Sequence, residues 1–156
     1  EALSKWIQLC KDLPRLAGPA ANIYRAGTST IEAQLLTSGA TIDYWHGSNK
    51  KVKSWAKSEN FQPKAVINSL PPGFDYLVGD IDKWAERFWG YYNAIKHNVS
   101  KFNIDLTELY VLAQSAHVLV TLLALNEIST RPQVIKEICE SHRLYSLRDQ
   151  IATHLK

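Results

Sequence analysis

The chain has 156 residues, and an apolar share of 46% is enough to bury the core of one compact domain. Its formal net charge of +3 permits contact with a phosphate backbone but is too mild for a dedicated nucleic-acid binder. Methionine is absent and residue 1 is Glu, so we expect a processed chain or, more simply, a piece of a longer protein.

Apolar residues recur at helical spacing from the start of the chain, and no alternating strand pattern is present. The opening stripe predicts a helix that Pro14 ends or kinks. Its expected core contacts are Leu3, Trp6, Ile7, Cys10 and Leu13. A second helical segment is predicted from about Pro19 to Trp45, although the residues around Gly27 can interrupt it.

Residues 47–73 are expected to be irregular or short-helical, and any mobile part of the domain should lie there. The pair Pro71-Pro72 cannot continue a helix. The stretch also contains a cluster of positive charge, which is either a solvated loop or a docking site for anionic ligands. The cluster consists of Lys50, Lys51, Lys53 and Lys57.

A long amphipathic helix is predicted from about Asp75 to Val99. One face is apolar, and at about 100° per residue a second face carries polar or small residues. Those residues are Glu86, Gly90, Asn93 and His97. Trp89 and Tyr91 fall off the apolar stripe, so we expect them at a homodimer surface.

The stretch from Leu106 to about Asn126 is the most apolar helix of the chain. Polar residues interrupt it too often for a membrane span, so we expect it at the centre of a bundle. The pair Ser129-Thr130 predicts the start of another helix, with a last short one from Leu144 to Leu155. The pattern predicts an all-α fold: an up-and-down bundle of two long antiparallel pairs with short C-terminal helices.

The run Tyr92-Asn93-Ala94-Ile95-Lys96-His97, late in a long amphipathic helix, resembles the R-N-x-x-x-H element of HEPN domains. The order of the helices around it is similar to the carboxy-terminal HEPN domain of ApeA-type anti-phage defence proteins. This resemblance implies that residues 1–156 form a single HEPN-like helical domain. It also implies that this domain is the C-terminal part of a longer protein.

The resemblance further implies metal-independent RNA cleavage in the cytoplasm, at a composite site between the two subunits of a homodimer. His97 would be the catalytic residue that moves a proton during attack by the ribose 2′-hydroxyl. Asn93 would orient that imidazole or contact a ribose, and the family's arginine would bind the phosphate. In this chain, however, the position of the arginine is taken by Tyr92. A phenol brings neither a positive charge nor a fork of donors.

Several residues could assist or replace the motif. Tyr92 falls on the apolar stripe, so core packing is its simplest role. Arg87 lies ten residues before His97, about 15 Å along the same helix, and Lys96 points elsewhere on it. Asp43 is either an acidic partner of His97 or an exposed charge near the end of the second helix.

Three functions remain open at this point. The chain is a ribonuclease domain of a bacterial defence protein, the same fold with a decayed site that serves dimerisation, or an unrelated helical adaptor. No metal is predicted, because no ligand spacing links cysteines, histidines and carboxylates. No cofactor and no membrane contact are predicted either. Cys10 and Cys139 are expected to be reduced and buried. We expect His117 to be a hydrogen-bonded core residue.

Overall fold

The computed structural model describes residues 1–22, 29–48, 62–97, 102–129 and 131–155, and within these ranges it contains helices and no strand. This confirms the predicted all-α class, while the lysine cluster at 50–57 lies outside the described residues. One short 3₁₀ helix spans His142–Leu144. The α-helices are α1 Ala2–Asp12, α2 Pro14–Ala21, α3 Ile31–Ser48, α4 Gln62–Asn68, α5 Phe74–Val78, α6 Ile81–Lys96, α7 Leu106–Ile128, α8 Gln133–Cys139 and α9 Tyr145–His154.

Helix α7 lies at the centre of the bundle, as predicted. It packs against α1, α2, α3, α5, α6, α8 and α9. Val111, Leu112, Leu109 and Val120 are completely buried, and at about 100° per residue they spread over about half of its circumference. Within the described part of the chain, α7 alone is long and apolar enough to cross a membrane, but 67% of its most apolar stretch is buried inside the domain. That burial is what a core helix requires.

Helices α6 and α7 run antiparallel. The indole N–H of Trp84, near the start of α6, donates to Ser115 Oγ in the middle of α7 at 2.8 Å. One turn later, Arg87 of α6 binds Glu108 in the first turn of α7. Residues later in α6 therefore contact residues earlier in α7.

Helix α3 runs parallel to α7 and therefore antiparallel to α6. Gln34, early in α3, bonds to Gln114, and Trp45, late in α3, donates to Glu127. At the other end of the chain, His154 closes α9 and interacts electrostatically with the residue that precedes α7. The helices α3, α6, α7 and α9 therefore alternate in direction, as the predicted up-and-down arrangement requires.

The face that α1 buries differs from the predicted one. Leu3 is 71% exposed, Ile7 and Cys10 are also exposed, and the buried side chain is Leu9. Leu9 points about 95° around the helix from the middle of the predicted stripe. Of the stripe itself, Trp6 and Leu13 are half-buried against the core. The expectation that Cys10 is buried is wrong, because α2 and α7 contact the neighbouring face of α1.

The long helix predicted from Asp75 to Val99 is interrupted near its start. Gly79 has a φ of +75°, a conformation that favours glycine, and it ends α5. Asp80 then caps α6 by accepting a hydrogen bond from the backbone N–H of Lys83 at 3.0 Å. The apolar periodicity continues across this break, which is why the pattern did not reveal it.

Two other boundaries also differ from prediction. The segment from Pro19 to Trp45, predicted as one helix, is divided between two. Helix α2 ends at Ala21, and α3 begins at Ile31. Ser129 is the residue after α7 and accepts a hydrogen bond from Arg131, whereas α8 begins only at Gln133.

Helices α3 and α6 are packed together at Gly39, which lies against the ring of Tyr92. A Cβ atom built on Gly39 would lie 2.2 Å from Cδ2 of Tyr92. The Tyr92 ring cannot easily move, because it is 3% exposed and stacks on Trp89 with ring centroids 4.9 Å apart. Gly39 is thus needed for space rather than for an unusual backbone conformation.

We expect Gly39→Ala to destabilise the domain by about 1–3 kcal/mol, the usual cost of overpacking a core. Urea unfolding followed by circular dichroism measures the change. The matched control is Gly47→Ala in the same helix, where no atom lies within 4 Å of the new Cβ. That control should keep or slightly raise the free energy of unfolding. Equal stability of the two variants would contradict the close packing of α3 on α6.

Candidate functional site

The residues of the motif lie at the carboxyl end of α6. His97 caps this helix, and its backbone N–H donates to the carbonyl oxygen of Asn93 at 2.9 Å. The His97 side chain is exposed and that of Asn93 is half-buried. Together with Glu86 and Gly90 they form the second face of α6, as the helical spacing predicts. Within the described part of the chain, neither side chain is held by a hydrogen bond.

Tyr92, at the position of the family's arginine, is a core residue. Its ring packs against Gly39 on α3 and against Phe88 and Trp89 on α6. Lys96 lies over the same ring, with Nζ 5.1 Å from the centroid, a contact of about 0.5–1 kcal/mol at such an exposed position. Tyr92 therefore contributes packing, and it draws Lys96 towards its own ring.

Arg87, the nearest arginine in sequence before the motif, is held by a carboxylate. Its Nε and Nη2 atoms donate to the two oxygens of Glu108 on α7. Glu108 is 5% exposed, whereas the side chain of Arg87 is 48% exposed. Removing the guanidinium would leave a buried carboxylate without its main partner, so Arg87 is committed to joining α6 to α7.

Tyr91 completes this network and is buried rather than part of a dimer surface. Its hydroxyl donates to Glu108 at 2.7 Å and accepts a hydrogen bond from the backbone N–H of Asp105 at 3.2 Å. Burial, followed by the hydrogen bond to Glu108, raises the pKa of Tyr91 to about 12. The expectation for Tyr91 is therefore wrong. Trp89 is half-buried against the core.

The amino end of α7 explains why Glu108 is available to Arg87. Asp105 caps the helix by accepting from the backbone N–H groups of Thr107 and Glu108. In a regular capping box the third residue would accept a bond from the backbone N–H of the cap. Here the Tyr91 oxygen takes that N–H instead. Helical periodicity did not predict this network, although the Asp-x-x-Glu spacing at 105–108 signals the helix cap on which it is built.

Asp43 is not placed to serve His97. The Gly39–Tyr92 contact fixes the register of the antiparallel helices α3 and α6. Asp43 lies four residues beyond Gly39, and His97 lies five residues beyond Tyr92 in the opposite direction. At 1.5 Å per residue the two are about 13 Å apart along the bundle, too far for a hydrogen bond.

The remaining titratable candidates are isolated. Among the described residues, no group of three or more His, Cys, Asp or Glu side chains could hold a metal ion. Cys139 is buried as expected, and burial raises the pKa of its thiol to about 12. His117 differs from expectation, because its Nε2 atom is buried without a hydrogen-bond partner in the described structure. Burial also lowers the pKa of that imidazole.

No protein-family model matches the chain, and neither a curated protein nor a solved structure is similar to it. What the motif helix can do must therefore be argued from its own geometry. It presents an exposed imidazole and a half-buried amide, while its tyrosine and its arginine serve packing and an ion pair.

We expect Arg87→Met to destabilise the domain by about 1–3 kcal/mol, because Glu108 then keeps only part of its hydrogen bonding. The double variant Arg87→Met/Glu108→Leu should recover part of this loss, since it also removes the buried charge. Chemical unfolding measures the free energies of the wild type, Arg87→Met, Glu108→Leu and the double variant. Lys83→Gln, an exposed change on the same helix, is the control and should stay within about 0.5 kcal/mol. Additive effects of the two substitutions would show that the pair is not coupled.

Proposed function

We propose that this chain is a HEPN-like helical domain of a bacterial anti-phage defence protein, acting in the cytoplasm as a homodimerisation module rather than as a ribonuclease. The observation that carries the proposal concerns the two positions expected to provide a guanidinium, position 92 of the motif and Arg87. Position 92 holds a tyrosine that is buried against Gly39, and Arg87 is bound to Glu108. Neither position therefore offers a guanidinium to the charge that develops on a phosphate in the transition state.

The second face of α6 has the spacing of a helix–helix seam. Its residues stand at positions 86, 90, 93 and 97, which is the alternating 4-3-4 spacing of coiled-coil contacts. Gly90 is half-buried, and no atom lies within 4 Å of a Cβ built on it, so a partner helix can approach closely there. The apolar stripe on the opposite side is already used by the core.

The same face is complementary to itself. In an antiparallel pair of α6 helices centred between positions 91 and 92, Glu86 of one copy faces His97 of the other. Gly90 then faces Asn93. The Glu86 carboxylate of one copy then lies beside the His97 imidazole of the other, and the Asn93 side chain lies over the space left by Gly90. The two-fold axis repeats both contacts. This arrangement brings two copies of His97 to one interface without requiring that they perform chemistry.

A metal-independent endoribonuclease is the second candidate function. It is favoured by the exposure of His97 and by the absence of a side-chain hydrogen bond to it within the described structure. An imidazole in that state can still accept and donate a proton. RNA would then have to obtain its phosphate contacts from cations other than Arg87.

We expect the chain to form a dimer of twice its 17.7 kDa mass, and Gly90→Arg to make it monomeric. The new guanidinium would fill the gap that Asn93 of the second copy needs. Sedimentation or light scattering after gel filtration measures the mass. The matched control is Gly47→Arg, the same change at another glycine with open space around it. A monomeric wild-type chain, or a dimeric Gly90→Arg variant, would refute the α6 interface.

We also expect no RNA cleavage by the wild-type chain above that of His97→Ala, measured on end-labelled RNA in the presence of a chelator. Tyr92→Arg should not create activity, because it places a cation in the core beside Gly39 and should lower the melting temperature sharply. Cleavage that requires His97 would make the second candidate the correct one and remove the proposal of a non-catalytic module.

A further inference from the structure

A polar groove of about 500 Å³ lies between α7 and the segment that leads from the 3₁₀ helix into α9. It uses none of the residues on the motif face of α6. Neutral hydrogen-bonding side chains and one cation dominate its lining, and no carboxylate is among the lining residues. The polar residues used below are Tyr110, Gln114, His117, Arg143 and Gln150.

The cation of this groove is Arg143, which is not among the ion pairs formed by the described residues. Arg143 is exposed. The one acidic residue that lines the neighbouring cavity, Glu137, is already bound by Arg131 at 3.1 Å. The groove therefore favours a ligand that carries a negative charge, and a guanidinium binds a carboxylate through two parallel donors.

An apolar cavity of about 380 Å³ adjoins the polar groove. The two share Val118, Arg143 and Leu144, and the cavity adds Leu122 and Ile138. Arg143 thus stands where a polar and an apolar compartment meet. A ligand that binds there should carry its charge within a few bonds of an aliphatic group, whose burial adds to affinity.

The polar groove also offers paired donors and acceptors beyond the cation. Gln114 and Gln150 carry amide groups, which match the N–H and C=O groups of a peptide. One N–H of the Gln114 amide donates to Gln34, and the same amide has a second N–H and an acceptor oxygen. His117 also lines the groove, while its Nε2 atom is buried. From Val118 back to Tyr110 the groove follows α7 for about 12 Å, the length of three to four extended residues.

We propose that this groove binds the carboxy-terminus of a peptide that ends in an aliphatic residue. Arg143 holds the terminal carboxylate, and the cavity around Leu122 and Ile138 takes the last side chain. Gln114 and Gln150 bond to the preceding peptide groups along α7. The charge, the apolar cavity and the length of the groove each select one part of this ligand.

Calorimetric titration of the full chain tests the proposal, with an acetylated tripeptide ending in leucine as the probe. We expect the free carboxylate to bind at least about tenfold more tightly than the same peptide with a carboxy-terminal amide, as expected for a charge-assisted hydrogen bond. Arg143→Gln should remove that preference. Lys11→Gln removes the same charge from an exposed site on α1 and should leave binding unchanged.

Two further measurements test the position of the ligand and distinguish a peptide from a smaller carboxylate. Val118→Phe should block the junction of the compartments and abolish binding, and its melting temperature shows whether it remains folded. N-acetyl-leucine should bind at least about threefold more weakly than the tripeptide, because it leaves the groove along α7 empty. The proposal is overturned if N-acetyl-leucine binds as well as the tripeptide, or the amide as well as the carboxylate. Absence of saturable binding, or unchanged carboxylate binding in Arg143→Gln, would also overturn it.

Discussion

The fold depends on the need to cover the apolar faces of α7. These faces take up much of its circumference, and exposing them would leave a large apolar area in water. The other long helices and α9 are arranged around α7 in alternating directions. Its one fully buried hydroxyl, that of Ser115, accepts from the Trp84 indole and donates to the carbonyl oxygen of Val111. The polar group is thereby satisfied inside the core.

The rotation of α6 about its own axis follows from two contacts with its neighbours. Tyr92 packs against Gly39 on α3, and both Arg87 and Tyr91 donate hydrogen bonds to Glu108 at the start of α7. Both contacts use residues within or near the motif for cohesion. The face left over is the one that carries Asn93 and the exposed imidazole. A side chain committed to the core cannot at the same time present a charge to a phosphate, so packing and phosphate binding compete for position 92.

The surface features that remain are suited to contact with other molecules. The seam on α6 combines a gap at Gly90 with a carboxylate and an imidazole at matching distances from its middle. The groove along α7 and α9 places the Arg143 guanidinium beside an apolar cavity. Both features combine a gap in the surface with charged groups at its edge. This combination is the basis of the proposed homodimer and of the proposed peptide binding.

Local sequence patterns were sufficient to predict the all-α class, the central position of α7, the boundary at Pro14 and the face shared by Glu86 and His97. These features depend on residues close in sequence, which local geometry relates directly. The burial of Tyr91, the distance between Asp43 and His97 and the exposure of Leu3 on α1 follow from the packing of the helices and were not predictable from these patterns. Periodicity gives the angle between side chains on one helix, but not which side of that helix meets a neighbour. That choice depends on contacts between residues distant in sequence, such as Tyr92 with Gly39, whose fit no local pattern encodes.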